Sequence, residues 1–361
     1  MKEESWPKVS VIIPNYNGRR NLGKLLDKCL SSVLKSNYPH FEVIFVDNAS
    51  TDDSVSYVKQ KYKNSSRFKI VLLNKNYGYA GGINIGVRHA DPKSKYFFIL
   101  TTDVEITKNL IKKLVTLFEK YNREYMHIAT IHPLIYDKSR GMFIGELFVQ
   151  YPGCDPLHPW FAVYNNRKPV EVSFPAGEVF MVRKDAFINV GGFDEKYFMY
   201  CEDLDLGLRL RLKGYKCLLY PGEVVIHYRS MTSKKELKPP FFSFIIERNR
   251  LYTCLKILHR KSLPALIIYE IFRLLGFIML STFDKEYRYR LAGYFYAIRE
   301  IKRRLILLQK VRKRIQESRF ISDHELFDLM YNALLRKPMI PLFEKLLLPL
   351  SLILYRLINK L

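Results

Sequence analysis

Two residues suited to hold a metal ion lie at the ends of apolar runs. Asp103 comes just after the run Tyr96–Leu100, and His227 lies in the run Val224–Tyr228. A carboxylate that follows a strand can hold Mg²⁺ or Mn²⁺ against a diphosphate, because hard cations prefer oxygen ligands. The competing interpretation is that Asp103 caps the helix after it and that His227, as a lone histidine, is structural. A metal site therefore requires the two residues to meet in space.

Three carboxylates fall within four residues, at Glu202, Asp203 and Asp205. Like charges at this spacing repel one another, so some must be solvated, paired with Arg or Lys, or bound to a ligand. The competing interpretation is a helix start, because acids are favoured in a first turn and Gly214 suits a helix end. Leucines alternate from position 204 to 212 as in a strand, but Leu, Arg and Lys are helix formers and no residue there is β-branched. We therefore predict a helix that begins with these acids.

A glycine-rich segment, Asn76–Gly86, lies between a predicted strand and a predicted helix. Glycine lets the main chain approach a phosphate closely, and the start of a helix favours negative charge. The segment suits a phosphate-bearing ligand, although glycine-rich turns are often only turns. It is not the GxGxxG dinucleotide pattern, and the sequence contains no GxxxxGK[ST] loop.

Strands and helices alternate through the first part of the chain and would position these residues. Short apolar runs bounded by turn residues are typical of strands buried on both faces. We predict strands at Val9–Ile13, Glu42–Asp47, Lys69–Leu73, Tyr96–Leu100 and near Ile128–Ile131. We predict helices at Asn21–Leu34, Ser54–Tyr62, Gly82–His89 and Thr107–Tyr121. This alternation predicts an α/β fold, with a mostly parallel sheet and helices on both faces.

Polar loops follow four of these strands. They are Pro14–Gly18, Asp47–Ser50, Asn74–Gly78 and Thr101–Asp103. Ligands of such sheets bind beyond the carboxyl ends of the strands. Four polar loops at the same edge therefore predict a crevice lined with hydrogen-bonding groups.

The pattern becomes irregular between about residues 138 and 180. This segment is rich in Gly, Pro and aromatic residues, among them Tyr151-Pro152-Gly153 and Pro159-Trp160. We interpret it as an irregular surface that faces a variable substrate. Further strands are predicted at Glu178–Arg183, Cys217–Tyr220 and Val224–Tyr228.

Residues 241–361 differ in composition from the rest. The chain has 59 Lys and Arg against 35 Asp and Glu, a net charge of +24, and residues 241–361 alone have 23 against 10. Apolar blocks, Leu263–Phe283 and Met339–Leu361, alternate there with basic ones such as Ile301–Arg314. Both apolar blocks contain charges, which are costly inside a bilayer, whereas interfacial helices place Lys and Arg against anionic headgroups. We expect helices that associate with a membrane surface; a subdomain packed on the core and a transmembrane hairpin are the alternatives.

Composition also limits the compartment and the class of protein. With 48% hydrophobic and 26% charged residues the chain is neither disordered nor fibrous. Five cysteines without a CxxC pair argue against a disulfide framework and a zinc ribbon, and the polar first residues lack the apolar core of a signal peptide. We expect a cytoplasmic protein, peripheral on the inner face of the cell membrane. A basic nucleic-acid-binding protein is an alternative, but the excess charge is concentrated in an apolar tail and no nucleic-acid module is recognisable, so we expect no nucleic acid as partner.

Six stretches, in order, resemble the family 2 glycosyltransferases, in particular the inverting, rhamnosyltransferase-like members. They are VSVIIPNYNG, FEVIFVDNASTDDS, NKNYGYAGGINIG, FFILTTDV, PAGEVFMVRKDAFINVGGFDEKYFMYCEDLDLGLRLRLKGYKC and VVIHYRSMTS. The resemblance implies a GT-A fold, with a Rossmann-like sheet, as a catalytic domain in residues 1–240. It also implies inverting transfer of a sugar from a nucleotide diphosphate donor. Beyond residue 240 the resemblance is only general.

The resemblance also implies which residues bind the donor. The nucleoside would be bound by Pro14, Asn15, Tyr16, Asn17 and Asp47. The nucleotide and phosphate side would be lined by Asn76, Gly82 and Asn84. The DxD motif of the family corresponds to Thr101-Thr102-Asp103. Its first acid is missing, so any ribose contact made there must be neutral or mediated by water.

Roles in metal binding and catalysis follow from the same resemblance. Asp103 retains the acid that usually binds Mn²⁺ or Mg²⁺, and His227 occupies the place of a histidine that completes the metal shell in some relatives. The catalytic base falls in the pair Glu202 and Asp203, and Asp203 is favoured. Such a base takes the proton of the acceptor hydroxyl, while the metal stabilises the departing diphosphate.

The sequence leaves the substrates partly open. The donor nucleotide is expected to be UDP, GDP or dTDP. A lipid-linked glycan is the expected acceptor because of the apolar, basic tail. A nucleotidyltransferase is the alternative enzyme, since it also combines an α/β nucleotide site with metal-binding carboxylates; it would release pyrophosphate instead of a nucleoside diphosphate.

Overall fold

The computed structural model describes residues 6–125, 127–145, 147–157, 168–228, 241–334 and 342–358. The strands are β1 (Lys8–Asn15), β2 (Phe41–Asp47), β3 (Phe68–Leu72), β4 (Ser94–Leu100), β5 (Val104–Glu105), β6 (Ile128–Asp137), β7 (Met142–Ile144), β8 (Phe148–Gln150), β9 (Asp155–Leu157), β10 (Val170–Val172), β11 (Val179–Arg183) and β12 (Lys216–His227). The helices are α1 (Gly18–Leu22), α2 (Lys24–Leu34), α3 (Ser54–Tyr62), α4 (Gly78–Arg88), α5 (Leu110–Tyr125), α6 (Lys184–Asn189), α7 (Glu202–Leu212), α8 (Phe241–Ile257), α9 (Leu263–Ser281), α10 (Lys285–Arg303), α11 (Leu305–Glu317), α12 (Asp323–Leu334) and α13 (Leu342–Ile358).

Ten of the described strands form one mixed sheet. Its order is β10-β12-β6-β11-β4-β1-β2-β3, with β5 beside β12 and β7 beside β6. The predicted parallel pairing is found in β4-β1-β2-β3 and between β6 and β12. Strand β11 runs antiparallel between β4 and β6, with Val179 opposite Leu100. The first residues of β11 therefore lie at the edge where the parallel strands end.

The predicted elements are present, most of them with shifted ends; the helix predicted over Thr107–Tyr121, for example, is Leu110–Tyr125. The helix predicted over Asn21–Leu34 starts earlier and is divided at Gly23, whose φ of 56° favours glycine. The helix predicted from Gly82 starts at Gly78, whose N–H donates to the Asn76 side chain at 2.8 Å. The two strands predicted between Cys217 and Tyr228 are one strand, β12, with a shift in register after Tyr220.

The central strands are buried on both faces, as their continuous apolar pattern predicts. Side chains of β1 alternate between two apolar clusters, with Val11 in one and Ile12 in the other. Helix α4 packs directly on β1 and β2 because Gly86 has no side chain. A Cβ atom at Gly86 would lie 2.6 Å from Ile12 Cγ2 and 2.8 Å from Val46 Cγ2.

The described part of residues 241–361 is mainly helical, as predicted. Helix α8 is joined to the chain just before α7 by Asn249, whose amide donates to the carbonyls of Met199 and Tyr200 at 2.8 and 2.7 Å. Inside the protein, Lys256 Nζ lies 2.6 Å from Asp205 Oδ1. The boundary placed at residue 240 stays a prediction. It falls in residues 229–240, which lie outside the described residues. The end of VVIHYRSMTS, the last stretch that resembles the family, lies there too.

The segment Tyr151–Cys154 differs from its interpretation as a surface that faces substrate. Tyr151 and Cys154 are buried. Gly153 touches α9 so closely that a Cβ atom there would lie 2.2 Å from the ring of Tyr269. The C-terminal helices cover this segment, which sequence pattern alone does not indicate. Pro159 and Trp160 lie outside the described residues.

Candidate active site

The two candidate metal ligands meet at the edge of the sheet. Strand β5, directly after Asp103, pairs with the end of β12 and sets His227 opposite Val104. His227 Nε2 lies 3.2 Å from Asp103 Oδ2, and both side chains are buried. The pairing of β5 with β12 thus brings Asp103 and His227 together in space, as a metal site requires.

Glu178 is a third ionisable neighbour, which the sequence reasoning did not select. Its Oε1 lies 3.9 Å from His227 Nδ1. Its main-chain carbonyl accepts a hydrogen bond from the N–H of Thr101 at 2.9 Å. In the sequence, Glu178 is a carboxylate between Gly177 and an apolar strand. This pattern points to the site only when β11 is known to run antiparallel to β4, because the start of β11 then lies beside the end of β4.

The predicted helix begins at Glu202 and brings the acid pair to the same edge. Asp203 is partly exposed, whereas Glu202 is buried. Asp203 Oδ2 accepts a hydrogen bond from the N–H of Gly177 at 3.1 Å, and its Oδ1 accepts one from the N–H of Leu204 at 2.8 Å. A Cβ atom at Gly177 would lie 2.8 Å from Asp203 Oδ2, so glycine is required for this approach.

These acids hold their protons more tightly than free carboxyl groups do. Burial, followed by the charge of Glu178, raises the pKa of Asp203 to about 7. Burial and the charge of Asp203 raise the pKa of Glu202 well above its usual range. Burial also raises the pKa of Tyr79, and the charges of Glu202, Asp203, Glu178 and Asp103 all add to this rise. The site therefore concentrates several acidic groups beside Tyr79.

Asp205, the third acid of the sequence cluster, has a different environment. Arg209 and Lys256 lie 2.7 and 2.6 Å from its two carboxylate oxygens. Burial opposes ionisation of Asp205, but these two cations lower its pKa. Asp205 is thus an ion-paired helix residue, while Glu202 and Asp203 are left to the site.

The first two strand-end loops form one hydrogen-bonded unit. Asp47 Oδ1 accepts hydrogen bonds from Asn15 Nδ2 at 2.8 Å and from the Ser50 hydroxyl at 2.6 Å. Asn15, Asn17 and Asp47 are buried. Pro14 and Tyr16 are partly exposed. The structure thus places the five predicted nucleoside residues together, and their contacts with a nucleoside stay a prediction.

The residues predicted on the phosphate side shape the scaffold around α4. The Asn76 side chain accepts a hydrogen bond from the N–H of Gly78, the first residue of α4. Gly82 allows close approach, since a Cβ atom there would lie 2.6 Å from Asn48 Nδ2. The Asn84 amide donates to the carbonyl of Phe193 at 2.8 Å and accepts from its N–H at 3.0 Å. Thr102 is partly exposed beside Asp103. Donor contacts by these residues stay a prediction.

Two family models match the chain. The model of glycosyl transferase family 2 matches residues 10–191, and that of glycosyl transferase family group 2 matches residues 115–301. A relative in Mycobacterium tuberculosis (strain ATCC 25618 / H37Rv), named N-acetylglucosaminyl-diphospho-decaprenol L-rhamnosyltransferase, is 26% identical over 237 residues. The match covers 59% of this chain and 75% of the relative.

Solved structures are similar in fold. GalNAc-T7, crystallised with UDP, GalNAc and Mn²⁺, gives a TM-score of 0.57 at 15% identity, over 84% of this chain and 58% of that one. S. aureus TarS 1-349, in complex with UDP-GlcNAc, gives a TM-score of 0.53 at 17% identity, over 89% of this chain and 88% of that one. These likenesses concern the fold and confirm the expected GT-A architecture.

Proposed function

This chain belongs to glycosyl transferase family 2, and from that premise we propose that it transfers a sugar, with inversion, from a nucleotide diphosphate donor to a hydroxyl of a lipid-linked glycan. One observation carries the proposal. A buried carboxylate–histidine pair, Asp103 and His227, shares a sheet edge with Glu202 and Asp203, a pair of acids without a cationic partner among the described residues.

We assign the general base to Asp203. Inverting transfer is an in-line displacement at the anomeric carbon, and a carboxylate must take the proton of the attacking hydroxyl. A pKa of about 7 makes Asp203 a good proton acceptor near neutral pH. Its partial exposure leaves it accessible, and the N–H groups of Gly177 and Leu204 orient it. Glu202 is less suitable because it is buried and because burial raises its pKa, which opposes its ionisation.

We assign a divalent cation, Mn²⁺ or Mg²⁺, to Asp103 and His227. Neighbouring ligands of an octahedral ion at about 2.1 Å lie about 3.0 Å apart. The 3.2 Å between Asp103 Oδ2 and His227 Nε2 fits that requirement. The fold relative GalNAc-T7 was crystallised with Mn²⁺. When bound, the cation supplies charge stabilisation to the departing diphosphate.

The protein provides only part of such a coordination shell. Within the described ranges, no three His, Cys, Asp or Glu side chains form a metal-binding group. Hard cations in phosphate sites are often held by one or two protein ligands together with substrate phosphates and water. The arrangement therefore suits a cation that binds together with a diphosphate donor. We assign the nucleoside of that donor to the loops of Asn15 and Asp47.

We propose that the enzyme works at a membrane surface and that α9 lies in the interface. Arg260–Ser281 is the described helix that is long and apolar enough to cross a bilayer. Its inner face, however, carries the buried charges Glu270 and Arg273. Arg250 donates to both Glu270 oxygens at 2.7 and 2.9 Å, and Arg273 donates to Asp155 at 2.8 Å. A spanning orientation would break these ion pairs, whereas an interfacial one keeps them.

The outer face of α9 suits contact with lipid. Its exposed apolar side chains are Ile267, Ile268, Ile271, Phe272, Leu275, Ile278 and Met279. A stripe of this kind, in a region with a large excess of Lys and Arg, matches an anionic membrane surface. We propose this outer face as the membrane contact.

A cleft between α8 and α10 suits part of a lipid-linked acceptor. Its volume is about 460 Å³, and it is lined by Phe241, Phe244, Tyr296, Arg299, Glu300 and Arg303. The ring of Phe242 lies 5.1 Å from that of Tyr200, three residues before Asp203. Aromatic rings with arginine match an apolar chain that carries phosphate. The mycobacterial relative is named for a diphospho-decaprenol acceptor.

Donor binding and product analysis test the proposal. Purified full-length protein is screened by thermal shift against UDP-, GDP- and dTDP-sugars, with and without Mn²⁺, because a ligand of the native state raises its stability. The donor found is then incubated with a polyprenyl-diphosphate sugar. We expect a nucleoside diphosphate and a lipid product whose new linkage has the inverted anomeric configuration by NMR. Release of pyrophosphate would instead identify a nucleotidyltransferase and overturn the proposal.

A further inference from the structure

The loop of residues 197–201, directly before α7, has a strained backbone. Three residues of this loop that are not glycine have positive φ angles, 63° at Phe198, 67° at Tyr200 and 62° at Cys201. The N–H of Met199 donates to the carbonyl of Tyr197 at 2.7 Å, and the φ and ψ of Phe198 between them, 63° and −62°, are those of the rare type of γ-turn. Such strain persists only where the surrounding structure holds it, and it is concentrated at functional sites.

The 197–201 loop leads directly into the first turn of α7. The carbonyl of Cys201 accepts a hydrogen bond from the N–H of Asp205 at 2.9 Å, which forms that turn. The Cys201 side chain makes no capping hydrogen bond, so the helix lacks the side-chain cap that fixes the start of many helices. Asp203, the second residue of α7, lies in this turn. Its position therefore depends on the conformation of the loop.

A single side chain of the C-terminal region holds the 197–201 loop. The Asn249 amide on α8 donates to three carbonyls of the loop, those of Tyr197 at 3.0 Å, Met199 at 2.8 Å and Tyr200 at 2.7 Å. Asn249 is buried, and its side-chain oxygen accepts a hydrogen bond from Arg248 Nε at 2.9 Å. The bond from Arg248 fixes which way the amide is turned, and its nitrogen then faces the loop.

We propose that Asn249 is a positioning residue that holds the 197–201 loop in its strained conformation and thereby places Asp203 to accept the proton of the acceptor hydroxyl. The inference rests on the proposed function, because it concerns the base of that reaction. It deepens that function by giving α8, a helix of the C-terminal region, a part in the transfer step. Asn249 acts through the loop and is assigned no contact with substrate.

The test separates the transfer rate from donor binding in the full-length protein. In Asn249→Ala the loop loses three hydrogen bonds and relaxes, so Asp203 is displaced and kcat should fall by about 10- to 100-fold. Affinity for UDP, GDP or dTDP, whichever the thermal-shift screen selects, is measured by calorimetry with Mn²⁺ and should not change. Asn249→Ser, which keeps one hydrogen-bond donor, is measured in parallel and should lose less activity.

Arg250→Met is the matched control for a loss of stability alone. Arg250 follows Asn249 on α8 and is equally buried, with 1% exposure for each residue. It donates to the Glu270 carboxylate instead of to the 197–201 loop. Arg250→Met should therefore melt at a lower temperature than wild type but keep its kcat at temperatures well below the melting transition.

A double-mutant cycle tests whether Asn249 acts through the strain of the loop. Glycine adopts positive φ as readily as negative φ, so Cys201→Gly lets the loop keep its conformation with less support. Asn249→Ala should therefore lower kcat less in the Cys201→Gly background than in wild type. Equal losses in both backgrounds would overturn the positioning role.

Two further results would overturn the positioning role and leave the proposed function intact. One is a wild-type kcat in Asn249→Ala or Asn249→Ser. The other is a loss of affinity for the donor nucleotide as large as the loss of kcat, which would indicate a merely structural role. If wild-type protein released no nucleoside diphosphate at all, the proposed function would fail, and this inference with it.

Discussion

Two groups of buried or half-buried carboxylates in this protein have opposite electrostatic surroundings. The site acids are Asp103, Glu178, Glu202 and Asp203. The second group belongs to a network that joins α8, α9 and the start of β9, here called the helix network. Its carboxylates are Asp155, Glu247 and Glu270, and they form ion pairs with Arg250 and Arg273. Both groups are removed from water to a large degree, but only the second contains cations.

The helix network shows how neighbouring cations change the pKa of a buried carboxylate. Burial would raise the pKa of Glu247, but Arg273 and Arg250 lower it to about 2. Arg273 donates to Glu247 at 2.8 Å, and the Tyr269 hydroxyl donates to Asp155 at 2.8 Å. Each charge has a partner at hydrogen-bond distance, so the network joins the helices and favours the ionised form of Glu247.

The site acids show what happens to buried carboxylates that have no neighbouring cations. Glu202 and Asp203 have no Lys or Arg ion pair within the described part of the chain, and their pKa values rise. Burial thus acts in the same direction in both places, and the neighbouring cations decide the outcome. A cluster of acids left without cations costs stability, and such clusters are found where a ligand or a proton is to be bound.

The largest expected effect comes from Asp203→Asn. The base is lost, so the transfer rate should fall by about 10² to 10⁴-fold. The melting temperature should stay the same or rise, because one of several repelling charges is removed. Steady-state kinetics with saturating donor and a thermal melt check both parts. A variant that melts well below wild type would break the comparison, since it would show that Asp203 stabilises the fold.

Removal of a cation from the helix network should act on stability. In Arg250→Met, Glu270 and Glu247 lose a buried partner, and the free energy of unfolding should fall by about 3 to 5 kcal/mol. Urea denaturation measures this change. Arg303→Met is the control, because its exposed guanidinium lies 3.9 Å from Glu300 and should contribute about 1 kcal/mol or less. Equal stability losses in the two variants would contradict the role of the network.

The two regions should also respond to pH in separate ranges. Transfer should increase as the pH rises through about 7, because Asp203 then loses its proton. The same raised pKa means that Asp203 contributes to stability below its unfolded pKa and that this contribution is lost as the pH rises through 7. The depressed pKa of Glu247 has the opposite sign, so its contribution is lost as the pH falls from about 4 toward 2. A pH–rate profile measures the change in activity, and urea melts at several pH values measure the changes in stability. A rise in activity centred near pH 4 instead of 7 would contradict the assignment of Asp203 as the base.

The smallest effect is expected on the outer face of α9, opposite the network. Ile271→Asp combined with Leu275→Asp should weaken binding to vesicles with anionic lipids by about tenfold or more, because two exposed apolar side chains are lost from the contact. Flotation with vesicles measures this binding. Ile188→Asp is the control, since Ile188 is 57% exposed on α6 and lies outside the helical region. Unchanged flotation of the double variant would place the membrane contact elsewhere.

Much of the fold, and the position of several residues of the candidate site, could be predicted from local sequence. Apolar runs predicted the strands, and helix formers after three acids predicted α7. Asp103 was recognisable because it follows a buried strand, where ligands of such sheets bind. The order of the motif stretches indicated the family, which the family models then matched over half of the chain.

Only the tertiary structure decided which charges act together. Asp205 and Asp203 are two residues apart, yet Lys256 neutralises only the first. Glu178 joins the site through an antiparallel strand, and Glu270 in an apolar block is paired with Arg250. Periodicity reports which face of an element is buried, because burial follows the local repeat of side chains. The direction of a strand and the partner of a charge depend on residues far away in the chain, so they become known only when the elements are packed.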